Sequence, residues 1–200
     1  MDAGQRMRLF FGVPVDEVVR ERVAELQQQL KSAAGKVNWV QPANYHFTLR
    51  FIGEVAEDRV EATANAADKA WESAKPGRVV LRGCGAFPNP RSPRVVWVGV
   101  VEGAEVIRGL EEPLSAALKR NLRIAREDRK FVAHLTIGRV RVPRRDPGLE
   151  QALGELAQAE AGEFDVRSFV LYQSILRPGG PIYQPVRVYE APTASKELDG

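Results

Sequence analysis

The sequence contains only two histidines, and each is followed two positions later by a threonine. The two motifs read His46-Phe47-Thr48-Leu49 and His134-Leu135-Thr136-Ile137. Threonine occurs only four times among the 200 residues. The probability that both histidines have a threonine two positions later by chance is therefore roughly four in ten thousand. The recurrence is the strongest signal of function in the sequence.

A spacing of two has a physical meaning on a β-strand, where alternate side chains project to one face about 6.6 Å apart. His46 and Thr48 then share a face, while the apolar residues between and after them lie on the other. His134 and Thr136 repeat this pattern. Each strand is predicted to present an imidazole and a hydroxyl above an apolar core.

Two imidazoles and two hydroxyls facing one another across a cleft would suit a phosphate group. Threonine hydroxyls donate to non-bridging phosphate oxygens, while one imidazole accepts a proton and the other donates one. Histidine suits both roles because its usual pKa is about 6.5. Either histidine alone is more simply explained as a strand-edge residue, and the symmetric recurrence is what favours catalysis.

A metal centre is the rival interpretation of two histidines. Zinc sites take three or four protein ligands. The chain has one cysteine, Cys84, and no third ligand is spaced closely to either histidine. We therefore expect no metal ion and no cofactor.

The composition is that of an ordinary globular protein, with 44% hydrophobic and 28% charged residues. A single cysteine excludes a disulfide-stapled secreted scaffold and favours a reducing compartment. No apolar run approaches the roughly 18 residues of a membrane span, and residues 9–15 are expected to form a strand rather than a signal peptide. We expect a cytoplasmic, monomeric protein.

The charge is unevenly distributed along the chain. The whole chain carries a formal charge of +3, whereas residues 119–145 carry +8 and the remainder −5. This basic segment contains Lys119, Arg120, Arg123, Arg126, Arg129, Lys130, Arg139, Arg141, Arg144 and Arg145. Such a segment is typical of a polyanion-binding surface, although a solvated loop explains the charge equally well.

Apolar periodicity and turn residues predict alternating helices and strands. The predicted strands are 7–15, 36–40, 46–55, 78–84, 94–101, 134–140, 164–176 and 182–189, and the predicted helices are 16–31, 57–74, 106–121 and 147–159. The order helix, histidine strand, helix and strand pair occurs over residues 16–101 and again over 106–189. This repetition suggests two similar lobes that face each other, although any alternating chain can produce it by chance.

The two motifs, 88 positions apart, resemble those of the 2H phosphoesterase superfamily. The chain is most similar to the RNA 2′,3′-cyclic phosphodiesterase group, also called 2′-5′ RNA ligases. The resemblance spans nearly the whole chain and rests on residues 8–13, 37–40, 50–55, 85–88, 93–100, 138–139, 173–176 and 180–183. Ala133 departs from the family pattern, which has proline before the second histidine.

The resemblance implies one domain over residues 1–200, with residues 1–6 and 193–200 frayed. It implies a bilobal α+β fold, in which two antiparallel sheets with flanking helices are related by a pseudo-two-fold axis around a central cleft. It further implies metal-independent hydrolysis of an RNA terminal 2′,3′-cyclic phosphate to a 2′-phosphomonoester. His46 would be the proton donor and His134 the proton acceptor, with Thr48 and Thr136 holding the phosphate. The residues alone do not separate the two histidine roles.

Other side chains are weaker candidates for substrate binding. Strand alternation predicts that Arg50 shares the face of His46, and Arg139 stands in a family-like position after the second motif. Tyr183 is a further candidate. It could stack on a base, as could Trp39, Tyr45 and Phe87.

Three alternative functions stay open. RNA ligation uses the same groups in reverse, and a phosphodiesterase for a small cyclic nucleotide would use the same site. The basic segment favours a longer anion, since a small substrate would not need it. A non-catalytic RNA-binding module would not need paired histidines and threonines.

Overall fold

The structure is a computed structural model that describes residues 6–125, 130–142 and 144–191. Its strands are β1 (Arg6–Pro14), β2 (Val37–Trp39), β3 (His46–Ala56), β4 (Gly77–Phe87), β5 (Val95–Glu102), β6 (His134–Val140), β7 (Glu160–Val166), β8 (Ser168–Ile175) and β9 (Ile182–Glu190). Its helices are α1 (Glu17–Ala33), α2 (Val60–Asn65), α3 (Ala70–Ser73), α4 (Ala104–Leu122) and α5 (Pro147–Glu155). Two 3₁₀ turns, Pro42–Asn44 and Glu57–Arg59, precede β3 and α2.

Most predicted elements agree with the structure to within four residues at each end. Arg6, which falls in the segment predicted to be frayed, is the first residue of β1 and pairs with Ala56. Residues 1–5 and 193–200 lie outside the described residues. No helix in the described ranges is long and apolar enough to cross a membrane.

The strands of the described residues form a nine-stranded antiparallel sheet in the order β7-β4-β5-β6-β3-β1-β8-β9, with β2 beside β6. The sheet is strongly curled into a half-barrel with flanking helices, so the class is α+β, as predicted. The prediction of two separate sheets is wrong. The two halves join between β3 and β6 through the pair Phe47–Leu135 and form one continuous sheet.

The strand order explains the repeated elements in the sequence. Outward from β6 the sheet continues with β5 and β4, and outward from β3 it continues with β1 and β8. Along the chain, β1-α1-β3 and β5-α4-β6 are equivalent units. After the first unit, β4 joins the half that contains β5 and β6, and after the second unit and β7, β8 joins the half that contains β1 and β3. This exchange interlocks the two halves of the sheet.

The strand predicted over residues 164–176 is two strands with different partners. β7 pairs with β4 near one end of the strand order, whereas β8 pairs with β1 and β9 near the other. Arg167 alone separates them. Because two residues of extended chain span at most about 7 Å, the two ends of the strand order must approach each other. This connection therefore requires the curl.

The helix predicted over residues 57–74 is interrupted, and contacts with β9 account for the break. The Ala64 carbonyl accepts from the Ala67 amide at 2.9 Å and from the Tyr189 hydroxyl at 2.8 Å. The Trp71 indole donates to the Tyr189 carbonyl at 3.2 Å. The Tyr189 hydroxyl thus occupies the Ala64 carbonyl, which an unbroken helix would pair with the amide of residue 68. Through its two hydrogen bonds, Tyr189 connects α2 and α3 to β9.

Helix α1 carries the contact that ties the core to the second histidine strand. Asp16 caps it by accepting from the Val19 amide at 2.9 Å, and one stripe of the helix is buried. Gln27 lies within that stripe, and its side-chain nitrogen donates to the carbonyls of Val40 and Ile137, each at 2.8 Å. One buried amide therefore satisfies two backbone acceptors beside β6.

Replacing Gln27 with leucine is expected to destabilise the protein, because the side chain keeps a similar size but the Val40 carbonyl loses its donor, whereas the Ile137 carbonyl keeps the Val40 amide at 3.0 Å. A buried acceptor left unpaired costs about 1–3 kcal/mol. Urea denaturation should show a lower free energy of unfolding for Gln27→Leu. The control is Gln28→Leu on the exposed side of the same helix. Equal stability of the two variants would show that the Gln27 contacts contribute nothing.

Candidate active site

The first motif begins β3 directly after the turn Pro42–Asn44. The Nδ1 atom of His46 lies 2.7 Å from the Asn44 carbonyl, and its Nε2 atom lies 3.0 Å from the Thr48 hydroxyl. A carbonyl can only accept, so Nδ1 carries the proton and Nε2 of the neutral ring accepts from Thr48. The Asn44 side chain donates to the Pro181 carbonyl at 2.8 Å, which fixes this turn to the segment before β9.

The second motif begins β6 and repeats this arrangement. The Nδ1 atom of His134 lies 2.8 Å from the carbonyl of Val132, again two residues earlier. The same argument gives this neutral ring a proton on Nδ1 and a free lone pair on Nε2. Each motif therefore fixes the tautomer of its imidazole with its own backbone.

The pairing of β3 with β6 brings the two motifs together. Phe47 lies opposite Leu135, and both side chains are completely buried in the core. Because the strands are antiparallel, His46 lies beside Thr136 and Thr48 lies beside His134. All four side chains project to the face opposite Phe47 and Leu135. His134 also contributes to the pKa shift of His46. The four residues predicted from the motifs therefore lie on one face at the centre of the sheet.

Arg139 joins this group because β6 contains a bulge. Trp97 of β5 pairs with Thr136, and the next residue, Val96, pairs with Gly138. Ile137 is therefore an extra residue on β6, and Arg139 returns to the face of Thr136 despite its odd spacing from His134. Its charge lowers the pKa of both histidines. The structure thus brings Arg139 to the candidate site.

The prediction that Arg50 shares this face is wrong. Thr48 pairs with Gly12 and Arg50 with Phe11, so Leu49 is an extra residue on β3. This bulge turns Arg50 towards the face of the buried Phe11. Arg50 is only 6% exposed and donates to the carbonyl of Ala125. It therefore stabilises the segment after α4 rather than facing the histidines.

Aromatic rings enclose His46. The centroid of the Phe10 ring lies 4.8 Å from that of His46, and Tyr183 meets the imidazole edge-on at 5.3 Å. Tyr172 lies slightly farther, at 6.3 Å. Tyr183 was predicted, whereas Phe10 and Tyr172 were missed. Strand alternation could have found Phe10, which shares a face of β1 with Gly12, where an added Cβ would lie 2.9 Å from the His46 ring.

The other predicted aromatic residues divide between the site and the core. Phe87 meets His134 edge-on, with 5.1 Å between ring centroids, and also contacts Trp97 at 5.2 Å. Tyr45 is 3% exposed, and burial raises the pKa of its hydroxyl. Trp39 of β2 packs over Gly138 of β6. Only Phe87 of these three contacts a histidine ring.

Both imidazoles favour the neutral form. Burial is the largest cause and lowers the pKa of His46 to about 4, while the bond to the Asn44 carbonyl opposes the shift and Arg139 adds to it. Burial likewise lowers the pKa of His134 below its usual value of 6.5, again with a contribution from Arg139. At pH 7 both rings are neutral, and each offers a basic Nε2 lone pair.

The described residues contain no group of three or more histidine, cysteine, aspartate or glutamate side chains that could hold a metal ion.

The cations of the basic segment, residues 119–145, lie in several different places in the structure. Arg139 faces the histidines, whereas Arg145 pairs with Glu150 at 3.0 Å. Arg126 and Arg129 lie outside the described residues.

Comparison with known proteins defines the class of this site. The family model of the LigT-like phosphoesterases matches residues 13–97 and 101–183, so each match contains one histidine motif. Proteins named RNA 2′,3′-cyclic phosphodiesterase are similar over most of the chain. The one from Archaeoglobus fulgidus is 40% identical over 184 residues, which cover 92% of this chain and 100% of that protein. The one from Methanothermobacter thermautotrophicus is 39% identical over 185 residues, 92% and 98% of the two chains.

Solved structures agree with this assignment. The crystal structure of TT0787 of Thermus thermophilus is similar with a TM-score of 0.76 and 30% identity, covering 92% of this chain and 97% of that one. Escherichia coli LigT complexed with 3′-AMP has the same fold, with a TM-score of 0.73 at 23% identity and coverage of 94% and 100%. The chain belongs to the LigT-like phosphoesterase family.

Because Arg139 disfavours the imidazolium form, Arg139→Gln is expected to raise the pKa of both histidines. The chain has only two, so the ring-proton signals of each can be followed in an NMR titration. Both should titrate below pH 6.5 in the wild type and at higher pH in the variant. Arg82→Gln, an exposed change on β4, is the control and should leave both curves in place. Unshifted curves in Arg139→Gln would contradict the position of its charge.

Proposed function

We propose that this protein hydrolyses the terminal 2′,3′-cyclic phosphate of RNA to a 2′-phosphomonoester without a metal ion. The observation that carries the proposal is the Phe47–Leu135 pair, which sets two histidine–threonine pairs side by side on one polar face. Relatives at 39–40% identity over 92% of the chain are named RNA 2′,3′-cyclic phosphodiesterase. Both the geometry of the site and the similarity to these relatives support hydrolysis of a 2′,3′-cyclic phosphate.

The reaction requires one base and one acid on opposite sides of the phosphorus. The Nε2 atom of His134 takes a proton from water as the water oxygen bonds to phosphorus. The bond from phosphorus to the 3′ oxygen breaks, and Nε2 of His46 gives a proton to that oxygen. The products are a 2′-phosphate and a 3′ hydroxyl. One proton enters His134 and one leaves His46, so the pair is restored by proton exchange with solvent.

The acid must be protonated before it acts, and the anionic substrate supplies the reason. The pKa of His46 is lowered to about 4, chiefly because burial disfavours the charged form. A bound phosphodiester anion beside Nε2 stabilises the imidazolium and raises this pKa. The Thr48 hydroxyl, which donates to Nε2 at 3.0 Å, can then turn to a phosphate oxygen. Substrate binding thus creates the acid form.

Arg139, Thr48 and Thr136 stabilise the charge that develops on phosphorus. Negative charge increases on the non-bridging oxygens as the water oxygen bonds, and fixed donors in a water-poor site favour that state. Arg139 supplies a full charge, and the threonines supply directed hydroxyls. Tyr183, edge-on to His46 at 5.3 Å, is suited to contact the terminal nucleoside. The assignment of His46 as donor and His134 as acceptor follows the family resemblance.

Removing either imidazole is expected to leave the fold intact and lower kcat at least about 100-fold, since each supplies one proton transfer. His46→Ala and His134→Ala should be assayed on an RNA with a 2′,3′-cyclic phosphate end. Thr48→Val and Thr136→Val should each lose about 1.5–3 kcal/mol of transition-state stabilisation, the value of a hydrogen bond to a charged group. Thr63→Val is the matched control, because Thr63 donates to the Arg59 carbonyl away from the site. Wild-type kcat in either histidine variant would refute the mechanism.

A chelator is expected to leave the rate unchanged, because proton transfer and charge stabilisation are assigned to side chains. The assay compares turnover in EDTA with turnover after adding zinc or manganese, and identifies the monoester by its mobility. The expected product is the 2′-phosphate. Loss of activity in EDTA with recovery on adding metal would favour metal catalysis.

A second experiment separates hydrolysis from ligation by adding an RNA with a 5′ hydroxyl. Accumulation of a 2′,5′-linked product instead of the monoester would favour ligation.

A further inference from the structure

A basic cavity lies beyond the histidines, where the first residues of β2 and the last residue of β6 meet the start of α5. Its volume is about 490 Å³, and Lys36, Arg141 and Arg144 contribute to its lining. All three side chains are exposed, and their charged groups are available to a ligand. We call these residues the three cavity cations.

The cavity carries an excess of positive charge. Within the described part of the chain, none of the three cavity cations forms an ion pair. The carboxylate that also lines the cavity, Asp146, accepts from the amides of Gly35 at 2.7 Å and Leu149 at 3.2 Å. Arg145, by contrast, is paired with Glu150. An anion would therefore meet three cations and one carboxylate already bound to the backbone.

The cavity continues the path of β6 away from the candidate active site. Thr136 lies in β6 and Arg141 directly follows the last residue of β6, so at most about 17 Å of backbone separates them. Arg139 lies between them and faces the histidines, and its backbone is paired with Asn38, which also lines the cavity. Arg139 lies near the histidines, and Arg141 and Arg144, two and five residues later, line the cavity. A nucleoside 2′,3′-cyclic monophosphate bound at the histidines has no further backbone phosphate to place in the cavity.

We infer that this cavity is a subsite for backbone phosphates of the RNA strand upstream of its cyclic phosphate. The inference rests on the proposed function, since it takes the RNA end to be bound at the histidines. Phosphodiesters match the cavity because they are anions repeated along the chain. Contacts with phosphate do not read sequence, so the subsite selects RNA by length rather than by base.

The test neutralises the three cavity cations together, in the variant Lys36→Gln, Arg141→Gln, Arg144→Gln. Two substrates are compared, a nucleoside 2′,3′-cyclic monophosphate and a decanucleotide with the same end. The variant should show a lower kcat/KM on the decanucleotide and keep the wild-type value on the mononucleotide. The log–log dependence on salt should also flatten, by about 0.7 for each single-strand phosphate that the variant no longer binds.

A charge-matched control separates the cavity from net charge. The variant Lys69→Gln, Lys75→Gln, Arg82→Gln removes three exposed cations on the side of α3 and β4. It should keep the wild-type salt slope and kcat/KM on both substrates. An unchanged slope in the cavity variant, or an equal decrease in the control, would overturn the inference.

Binding distinguishes failure of the subsite from failure of the proposed function. Fluorescence anisotropy with a decanucleotide that ends in a 2′-phosphate needs no turnover. If the wild type hydrolyses neither substrate, weaker binding by the cavity variant alone would still support the subsite and refute the proposed function. Calorimetry with inorganic phosphate covers the other source of the same anion. Loss of inorganic phosphate binding with unchanged decanucleotide binding would assign the cavity to free phosphate and overturn the RNA subsite.

Discussion

The candidate site depends on one cross-strand contact, the antiparallel pair Phe47–Leu135 between β3 and β6. Both side chains are completely buried, so the hydrophobic core holds the two strands together on one face. Alternation then forces the neighbouring histidines and threonines to the opposite face. The two halves of the sheet join at this pair, which explains why the site lies at the centre of the fold rather than at a loop-covered edge.

The same enclosure sets the electrostatics of the site. Burial removes water from both imidazoles and disfavours their charged forms, and Arg139 reinforces this effect. Backbone carbonyls hold both Nδ1 protons, so each neutral ring keeps its lone pair on Nε2, where that of His46 accepts from Thr48. A site of this kind holds few protons until an anion arrives. Arg139, which lowers the histidine pKa, would attract an anion, and the exclusion of water strengthens that attraction.

Much of the site could be predicted from the sequence because strand alternation is local. The histidine and threonine pairs needed only a spacing of two and an apolar partner face. Arg50 and Arg139 could not be assigned in this way, because each follows a bulge, at Leu49 and Ile137. A bulge is defined by the register with the neighbouring strand, which the sequence of one strand does not contain. For the same reason the change of partner at Arg167, which divides β7 from β8, was missed.

The basic segment illustrates a further limit, because charge in a sequence has no direction. Lys119 and Arg120 lie in the last turn of α4, where cations stabilise the helix dipole, and Arg145 is paired with a carboxylate. Arg139 reaches the histidines only through the bulge in β6, and Arg141 and Arg144 continue beyond it towards the cavity. The part of the segment suited to a polyanion is therefore the part that follows β6. Its position along that strand, rather than its total charge, connects it with the chemistry of the two histidines.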